Sequence, residues 1–177
     1  MTAVDPAPRV RTHRIPENPP FPNNPELPLL VYPQAVPLTG PQPAAAFESR
    51  FRANGWADPW RDGIYDYHHY HSTAHEVLGI FSGSARIAFG GDGGVVLEVR
   101  GGDVVVIPAG VSHKNLGASG DLGVVGAYPL GQDWDMNTGK PGERPAADRA
   151  IAAVPLPAAD PVFGPDGPLV RLWKVKP

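Results

Sequence analysis

The segment Gly63-Ile-Tyr-Asp-Tyr-His-His-Tyr-His-Ser-Thr-Ala-His-Glu-Val-Leu-Gly-Ile-Phe-Ser-Gly83 holds four of the six histidines of this 177-residue chain. Successive side chains of a β-strand point to opposite faces, so an extended run over residues 67–71 places His69 and His71 on the same face. A turn at residues 72–74 followed by a strand over residues 77–81 returns Glu76 toward that face. The segment therefore predicts two imidazoles and a carboxylate that converge on one point.

A further imidazole follows the predicted strand Val104–Ile107. His113 comes after the rigid turn Pro108-Ala109-Gly110-Val111-Ser112 and can approach the same point from a neighbouring strand. Neutral imidazole and carboxylate bind divalent transition metals without thiolates, and the chain has no cysteine. We expect one divalent transition metal ion (Fe, Mn, Ni or Zn), with four protein ligands and open positions for a substrate; the ligands are His69, His71, Glu76 and His113.

The other histidines are weaker candidates for metal ligands. His75 has the same parity as His69 and His71, so it would replace Glu76 if the strand continued without a turn. Both alternatives stay open on the sequence alone. We expect His68 on the exterior or hydrogen-bonded to a neighbour, and His13 without a role in the site.

Aromatic and charged residues near this segment have two interpretations. Tyr65, Tyr67 and Tyr70 are expected to be packing residues, with a pocket wall as the alternative. The tryptophans Trp56, Trp60 and Trp134 are expected to give hydrophobic cover, or else an aromatic rim for a ring-bearing ligand. The charges of Asp133, Asp135 and Lys140 indicate a solvated loop, with a flap over the site as the alternative.

Prolines divide the chain into three parts. Twelve of the 23 prolines lie in residues 1–45, eight in 141–177 and only three between. Proline removes a backbone donor, so the flanks are predicted not to supply central strands. We therefore expect a proline-rich arm over residues 1–28, a folded domain with a preceding helix over 29–140, and a C-terminal extension over 141–177 that packs on it.

The middle of the chain has the pattern of an all-β domain. Glycine-containing turns separate short β-rich runs, which predicts a small antiparallel barrel or sandwich; the runs are 80–81, 85–89, 95–99, 104–107 and 124–128. One helix is expected over Ala44–Asn54, because Phe47 and Phe51 are four residues apart. Residues 29–32 suit an edge strand or a partner-chain contact, and residues 146–154 a short helix. Leu169, Leu172 and Trp173 are expected to pack the C-terminal extension.

Composition excludes several classes of function. The net charge is −3 and the chain has no run of five lysines or arginines, which argues against nucleic acid as a partner. No apolar run is long enough for a membrane span, and the N-terminus lacks the apolar core of a signal peptide, so we expect a cytoplasmic protein without a membrane partner. The glycine-rich run at 90–94 lacks a phosphate-loop pattern, and Ser82 lacks the spacing of a nucleophile elbow.

Two motifs resemble those of the cupins. Gly-x5-His-x-His-x4-Glu-x6-Gly is matched by the predicted ligands of residues 69–76 together with Gly63 and Gly83. Gly-x5-Pro-x-Gly-x2-His is matched by Gly102, Pro108, Gly110 and His113, although Gly117 stands where the motif has Asn. Asp66-Tyr-His-His-Tyr-His-Ser, His75-Glu-Val-Leu-Gly, Gly126-Ala-Tyr-Pro, Leu27-Pro-Leu-Leu and Asp160-Pro extend the resemblance to the bacterial single-domain YjlB-like cupins.

This resemblance implies a jelly-roll barrel (a double-stranded β-helix) with one or two short helices, a metal inside the barrel and a homodimer. It carries no specific activity. The leading hypothesis is a mononuclear metal-dependent enzyme, of oxygenase or isomerase type, that acts on a small organic molecule. The alternatives are a non-catalytic metal-binding, small-ligand-binding or sensor cupin, and a structural domain with an empty site.

Overall fold

A computed structural model of the protein describes residues 7–174. The ends of the predicted arm and extension, residues 1–6 and 175–177, lie outside the described residues. Nine strands and three helices occur within the described range: β1 Arg11–Ile15, β2 Asn24–Tyr32, α1 Pro43–Ala53, β3 Trp56–Asp62, β4 Glu76–Ser82, β5 Ser84–Phe89, β6 Val95–Arg100, β7 Val104–Ile107, β8 His113–Ala118, β9 Gly123–Pro129, α2 Ala146–Ala153 and α3 Pro168–Leu172.

The strands form two antiparallel sheets of an all-β jelly roll. The larger sheet has the order β1-β2-β7-β4-β9-β3, and the smaller has the order β6-β5-β8. The five predicted β-rich runs all lie in strands, and residues 95–99 pair with residues 85–89 across the glycine-rich turn as expected. Sequence patterns missed β3 and β8, because neither strand has a continuous apolar alternation.

The central strands of the larger sheet, β4, β7 and β9, are buried on both faces. All four residues of β7 are buried, but they alternate between two apolar clusters as the strand period requires. Val105 and Ile107 pack between the two sheets with Ile87 and Phe89 of β5. On the opposite face, Val104 and Val106 belong to the outer cluster that also contains Phe47, Phe51 and Trp173.

Helix α1 covers this outer face, close to the bounds expected from Phe47 and Phe51. Both phenylalanines are fully buried, and their rings lie edge to face at a centroid distance of 6.2 Å. The helix approaches β4 at Gly79, where an added Cβ would stand 2.2 Å from Cδ1 of Phe47. A side chain at residue 79 would therefore push the helix off the sheet.

The proline-rich N-terminal segment contributes to the sheet, which corrects two predictions. Residues 11–15 and 24–28 lie in strands, and residues 29–32 form an inner strand between β1 and β7 rather than an edge. Proline is tolerated because Pro25 and Pro28 lie where the register of β1 and β2 shifts, between the pairs Ile15–Asn24 and His13–Leu29. Residue 28, the predicted end of the arm, therefore lies inside strand β2, and the sheet extends across that predicted boundary.

The C-terminal extension is held against the outer face by a buried carboxylate. Asp160 accepts hydrogen bonds from the backbone N–H groups of Val162, Phe163 and Leu169 and from the Tyr32 hydroxyl. Trp173 is 1% exposed, as expected, and donates from its indole to Pro28 O at 2.9 Å. Leu172 is 38% exposed, so the prediction that it packs was wrong.

The helix expected over residues 146–154 is α2, whereas α3 raises the number of helices above the one or two expected.

Among the described residues, no helix is both long and apolar enough to span a membrane.

The close approach at Gly79 predicts the effect of a single methyl group. Gly79→Ala should lower the free energy of unfolding by about 1–3 kcal/mol, because an overpacked core must shift. Urea denaturation followed by tryptophan fluorescence measures the loss. Gly120→Ala is the control, since a Cβ there meets nothing within 4 Å, and an equal effect of both variants would contradict the argument.

Candidate metal centre

The structure brings together the four side chains predicted to bind a metal. His69, His71, Glu76 and His113 are buried, with exposed fractions of 4%, 6%, 3% and 2%. One ring nitrogen from each histidine lies within 4.8 Å of the other two. Oε2 of Glu76 is 3.2 Å from Nε2 of His71 and 3.2 Å from Nε2 of His113.

The histidine segment reaches this arrangement without forming the strand expected over residues 67–71. His69 makes an isolated bridge with His113, through two backbone hydrogen bonds of 3.2 and 2.9 Å. The carbonyl of His71 instead accepts from the N–H of Gly110 at 2.7 Å. Gly110 has a φ of +93°, and an added Cβ would lie 2.5 Å from Asn23 O, so the glycine of the second motif helps to hold the backbone of His71.

Backbone carbonyls orient all three imidazoles. Nδ1 of His69 contacts Tyr67 O at 3.0 Å, Nδ1 of His113 contacts Val111 O at 3.1 Å, and Nδ1 of His71 contacts Asp135 O. A carbonyl can only accept, so each neutral ring carries its proton on Nδ1. The lone pairs of the Nε2 atoms are then free to bind an ion.

Glu76 and His75 are neighbours in the sequence, but their side chains lie on opposite faces of the larger sheet. Glu76 shares the face of Leu78 and Ile80, which pack between the sheets. His75 is buried on the opposite side, where its ring lies 4.7 Å from the ring of Trp173 and its Nδ1 accepts from Ala109 N. The turn before β4 therefore brings Glu76, and not His75, to the three imidazoles. That Glu76 is a metal ligand stays a prediction.

Charge interactions in the centre favour an anionic Glu76. Burial would raise the pKa of its carboxyl, but the contacts with His71 and His113 outweigh burial and hold the pKa well below the ordinary value. Burial, reinforced by the neighbouring His113, lowers the pKa of His69 to about 3. For His71, burial acts to lower the pKa, but the Glu76 carboxylate outweighs it and raises the pKa.

A metal ion fits this donor set. Oε1 of Glu76 accepts from the Tyr128 hydroxyl at 3.2 Å, whereas Oε2 is buried without a hydrogen-bond partner among the described residues. An anionic oxygen that faces two imidazole lone pairs is costly unless a cation or proton lies between them. Three imidazoles and a carboxylate also match the ligand preferences of divalent transition metals.

The loop after β9 is attached to the centre through Asp135. Its backbone carbonyl contacts the ring of His71, and its carboxylate accepts from the backbone N–H and hydroxyl of Ser72. Asn137 of the same loop pairs with the backbone of Tyr70. Asp135 is therefore partly buried and structural, which corrects the prediction that it is a solvated charge. No local sequence pattern predicts a contact across about 60 residues.

The centre opens into a cavity of about 560 Å³. Its walls include Trp60 and Trp134, whereas Trp56 is fully buried in the outer cluster and lies away from the cavity. Trp134 stacks on Tyr128 at a centroid distance of 6.2 Å. The expectation of hydrophobic cover therefore holds for Trp56 and also for Trp60, which packs against the core between the sheets as well as lining the cavity. Trp134 is 51% exposed and lies at the rim instead.

The remaining candidates are three tyrosines and two histidines. Tyr70 is fully buried and donates to Glu143 at 2.9 Å, as expected for a packing residue. Tyr65 and Tyr67 are exposed and stack on each other beside His69. His68 contacts Asp92 at 3.0 Å, and His13 lies in β1, paired with Leu29.

Substitution of the predicted ligands tests the geometry. His71→Ala and His113→Ala should each weaken metal affinity by about 100-fold or more, and Glu76→Gln by about 10- to 100-fold, because each removes a donor or its charge. Elemental analysis and metal-titration calorimetry measure the change. The controls His68→Ala and His75→Gln should retain the wild-type metal content; loss of the metal in His75→Gln but not in Glu76→Gln would contradict the assignment of Glu76.

The attachment of the loop through Asp135 gives a second prediction. Ser72→Ala removes one donor to the Asp135 carboxylate, so the carbonyl that orients His71 is held less firmly. We expect metal affinity to fall by about tenfold, as measured by competition with a chromogenic chelator. Ser82→Ala, which removes a hydroxyl that contacts Asp121 O far from the centre, should leave the affinity unchanged; equal affinities of both variants would exclude the role of the loop.

Known proteins resemble this chain in fold or in sequence. No protein-family model matches the chain. Solved structures with similar folds include acireductone dioxygenase from Bacillus anthracis, which has a cadmium ion in its active centre, with 18% identity and a TM-score of 0.40 over 58% of this chain and 77% of that one. Oxalate decarboxylase from Bacillus subtilis, described with Mn(II) centres, matches with 18% identity and a TM-score of 0.35 over 63% of this chain and 27% of that one.

A sequence relative covers nearly the whole chain. The uncharacterised protein YjlB of Bacillus subtilis (strain 168) is 44% identical over 163 residues, which are 92% of this chain and 96% of the relative. Identity at this level over nearly the full length of both chains indicates one family and one fold. The protein therefore belongs to the YjlB-like cupins.

Proposed function

We propose that this cupin is a mononuclear metal-dependent enzyme that acts on a small organic molecule, with His69, His71, Glu76 and His113 as ligands of one divalent transition metal ion. The reaction is of oxygenase or isomerase type. One observation carries the proposal: the three imidazoles have their Nδ1 atoms on backbone carbonyls, and the Nε2 atoms of His71 and His113 lie 3.2 Å from the unpartnered oxygen of Glu76.

The protein contributes donors that are held in place by the backbone. The backbone contacts of residues 69, 71 and 113 hold each neutral ring in the tautomer with a free Nε2 lone pair, and only a proton shared between His71 and Glu76 would have to leave before the ion binds. Tyr128 donates to one oxygen of Glu76 and leaves the other free. Trp60 donates to the hydroxyl oxygen of Tyr128 at 3.2 Å, which fixes the direction of that donor.

A divalent ion held by four protein ligands supplies a Lewis acid with coordination positions left for an oxygen-containing substrate. The cavity supports a catalytic rather than a structural role for such a site. Its volume, about 560 Å³, lies within the range of small-molecule pockets. His69, His71 and Glu76 all line this cavity, so a molecule bound there reaches the metal ligands directly.

The experiment begins with metal content. Protein without a histidine tag is loaded with Fe(II), Mn(II), Ni(II) or Zn(II) under anaerobic conditions, and elemental analysis gives the stoichiometry. We expect about one equivalent of at least one ion, because the donor set is complete. Less than about a tenth of an equivalent for every ion would overturn the proposal, since the binding energy of a formed site should retain its metal.

Turnover is then measured on the loaded protein with a panel of hydroxy- and keto-compounds, by oxygen uptake and by NMR detection of products. We expect conversion of at least one compound, its loss in His71→Ala by about 100-fold or more because the ion is lost, and its retention in the control His68→Ala. Ligand-induced stabilisation of the metal-loaded protein without any product would instead assign it as a non-catalytic binding protein.

A further inference from the structure

The exposed apolar side chains of the protein are concentrated at one place. Ten large apolar residues are exposed within the described chain. Four of them line the cavity of the metal centre and a fifth, Tyr67, stacks on one of these four; together they are called the mouth cluster and comprise Tyr65, Tyr67, Leu130, Trp134 and Met136. Apolar residues scattered singly over a surface need no explanation, but a cluster around a cavity indicates a binding surface.

The mouth cluster provides aromatic surfaces beside two of the histidines. Tyr65 and Tyr67 stack with a centroid distance of 5.0 Å and an interplanar angle of 19°. Tyr65 also lies edge to face with His69 at 5.2 Å, and Trp134 lies likewise against His71 at 5.6 Å. A flat group of a ligand would therefore meet aromatic surfaces next to the imidazoles.

The charges around the cavity disfavour an anionic ligand body. Three exposed carboxylates line it, those of Asp58, Asp62 and Asp133. Arg61 is the single lysine or arginine among the described lining residues, and its guanidinium donates two hydrogen bonds of 2.6 and 2.9 Å to Glu48. The cavity therefore has no unpaired guanidinium or ammonium group in its described walls to bind a second anionic group of a ligand.

We propose that the cavity selects a small molecule that has a flat, aromatic or similarly apolar group, a single oxygen-donor group for the metal, and no further charged group. This inference rests on the proposed metal site. The oxygen donors bind at the ion, the flat group packs between the tyrosine pair and Trp134, and the acidic rim rejects molecules with an additional carboxylate. Dicarboxylic acids and other small dianions are thereby excluded as the main ligands.

Three hydroxamic acids with the same metal-binding group test each part of the inference. Acetohydroxamic acid carries a methyl group, benzohydroxamic acid a phenyl ring, and 4-carboxybenzohydroxamic acid a phenyl ring with a second anionic group. Calorimetric titration of the Mn(II)-loaded protein at low salt gives the three affinities. We expect the phenyl compound to bind about 10- to 100-fold more tightly than the methyl compound, and the carboxylated compound to bind more weakly than the phenyl compound.

Variants identify the residues that recognise the ring. Trp134→Ala and Tyr65→Ala should each reduce the ratio of phenyl to methyl affinity to about threefold or less. The affinity for acetohydroxamic acid serves as an internal control, because it reports changes at the metal alone. Leu116→Ala, an exposed apolar residue of β8 that does not line the cavity, should leave the ratio unchanged.

The outcomes separate this inference from the proposed function. Equal affinities of the phenyl and methyl compounds for fully metal-loaded protein would overturn the inference and leave the metal site intact. Tighter binding of the carboxylated compound would overturn the charge argument. Absence of bound Mn(II) and of the other ions would overturn the proposed function itself. If Trp134→Ala dissociates a dimer while the affinity ratio is unchanged, the mouth cluster binds a second copy of the chain, and the inference is wrong.

Discussion

The centre depends on a buried carboxylate that faces the lone pairs of neutral imidazoles. Removing the charge of Glu76 from water costs on the order of several kcal/mol, and the Tyr128 hydroxyl compensates one oxygen only. The second oxygen is stabilised either by a proton shared with His71 or by a cation among the three rings. An ion bound there, as proposed, would remove this electrostatic cost, and the stability of the fold would then depend on metal content.

The position of Glu76 depends on the burial of both faces of the larger sheet at its central strands. If one face of the sheet were solvated, every second residue of β4 would be exposed. Of the two neighbours His75 and Glu76, one would then be buried and the other exposed. Here α1 and the C-terminal segment around Trp173 cover the outer face. His75 therefore packs in an apolar layer, where burial lowers its pKa to about 4 and keeps it neutral, while Glu76 projects between the sheets. Covering the outer face is thus part of the construction of the metal centre.

Sequence reasoning reached the parts of the structure that depend on local periodicity. The strands β4 to β7 and helix α1 follow from the spacing of apolar residues. The convergence of His69, His71 and His113 agrees with the two motifs, although residues 67–71 do not form the expected strand. It failed where long-range pairing overrides local preference: prolines 25 and 28 fit within a sheet strand because the register shifts there. The contact of Asp135 with His71 joins segments with unrelated patterns, so only the folded chain reveals it.

The predicted ligands and the residues of the mouth cluster lie on different kinds of structure, which argues for a division of roles within the site. The predicted ligands of residues 69–76 and 113 are held by strands, bridges and a tight glycine turn, so the donor geometry changes little. Trp134 and Leu130 instead lie on the loop after β9, where substitutions are tolerated more easily. That loop nevertheless contacts His71 through Asp135, so the segment that carries Trp134 also orients one of the three imidazoles. If the proposed ligand and ion bind there, any change that one makes in the affinity of the other is reciprocal.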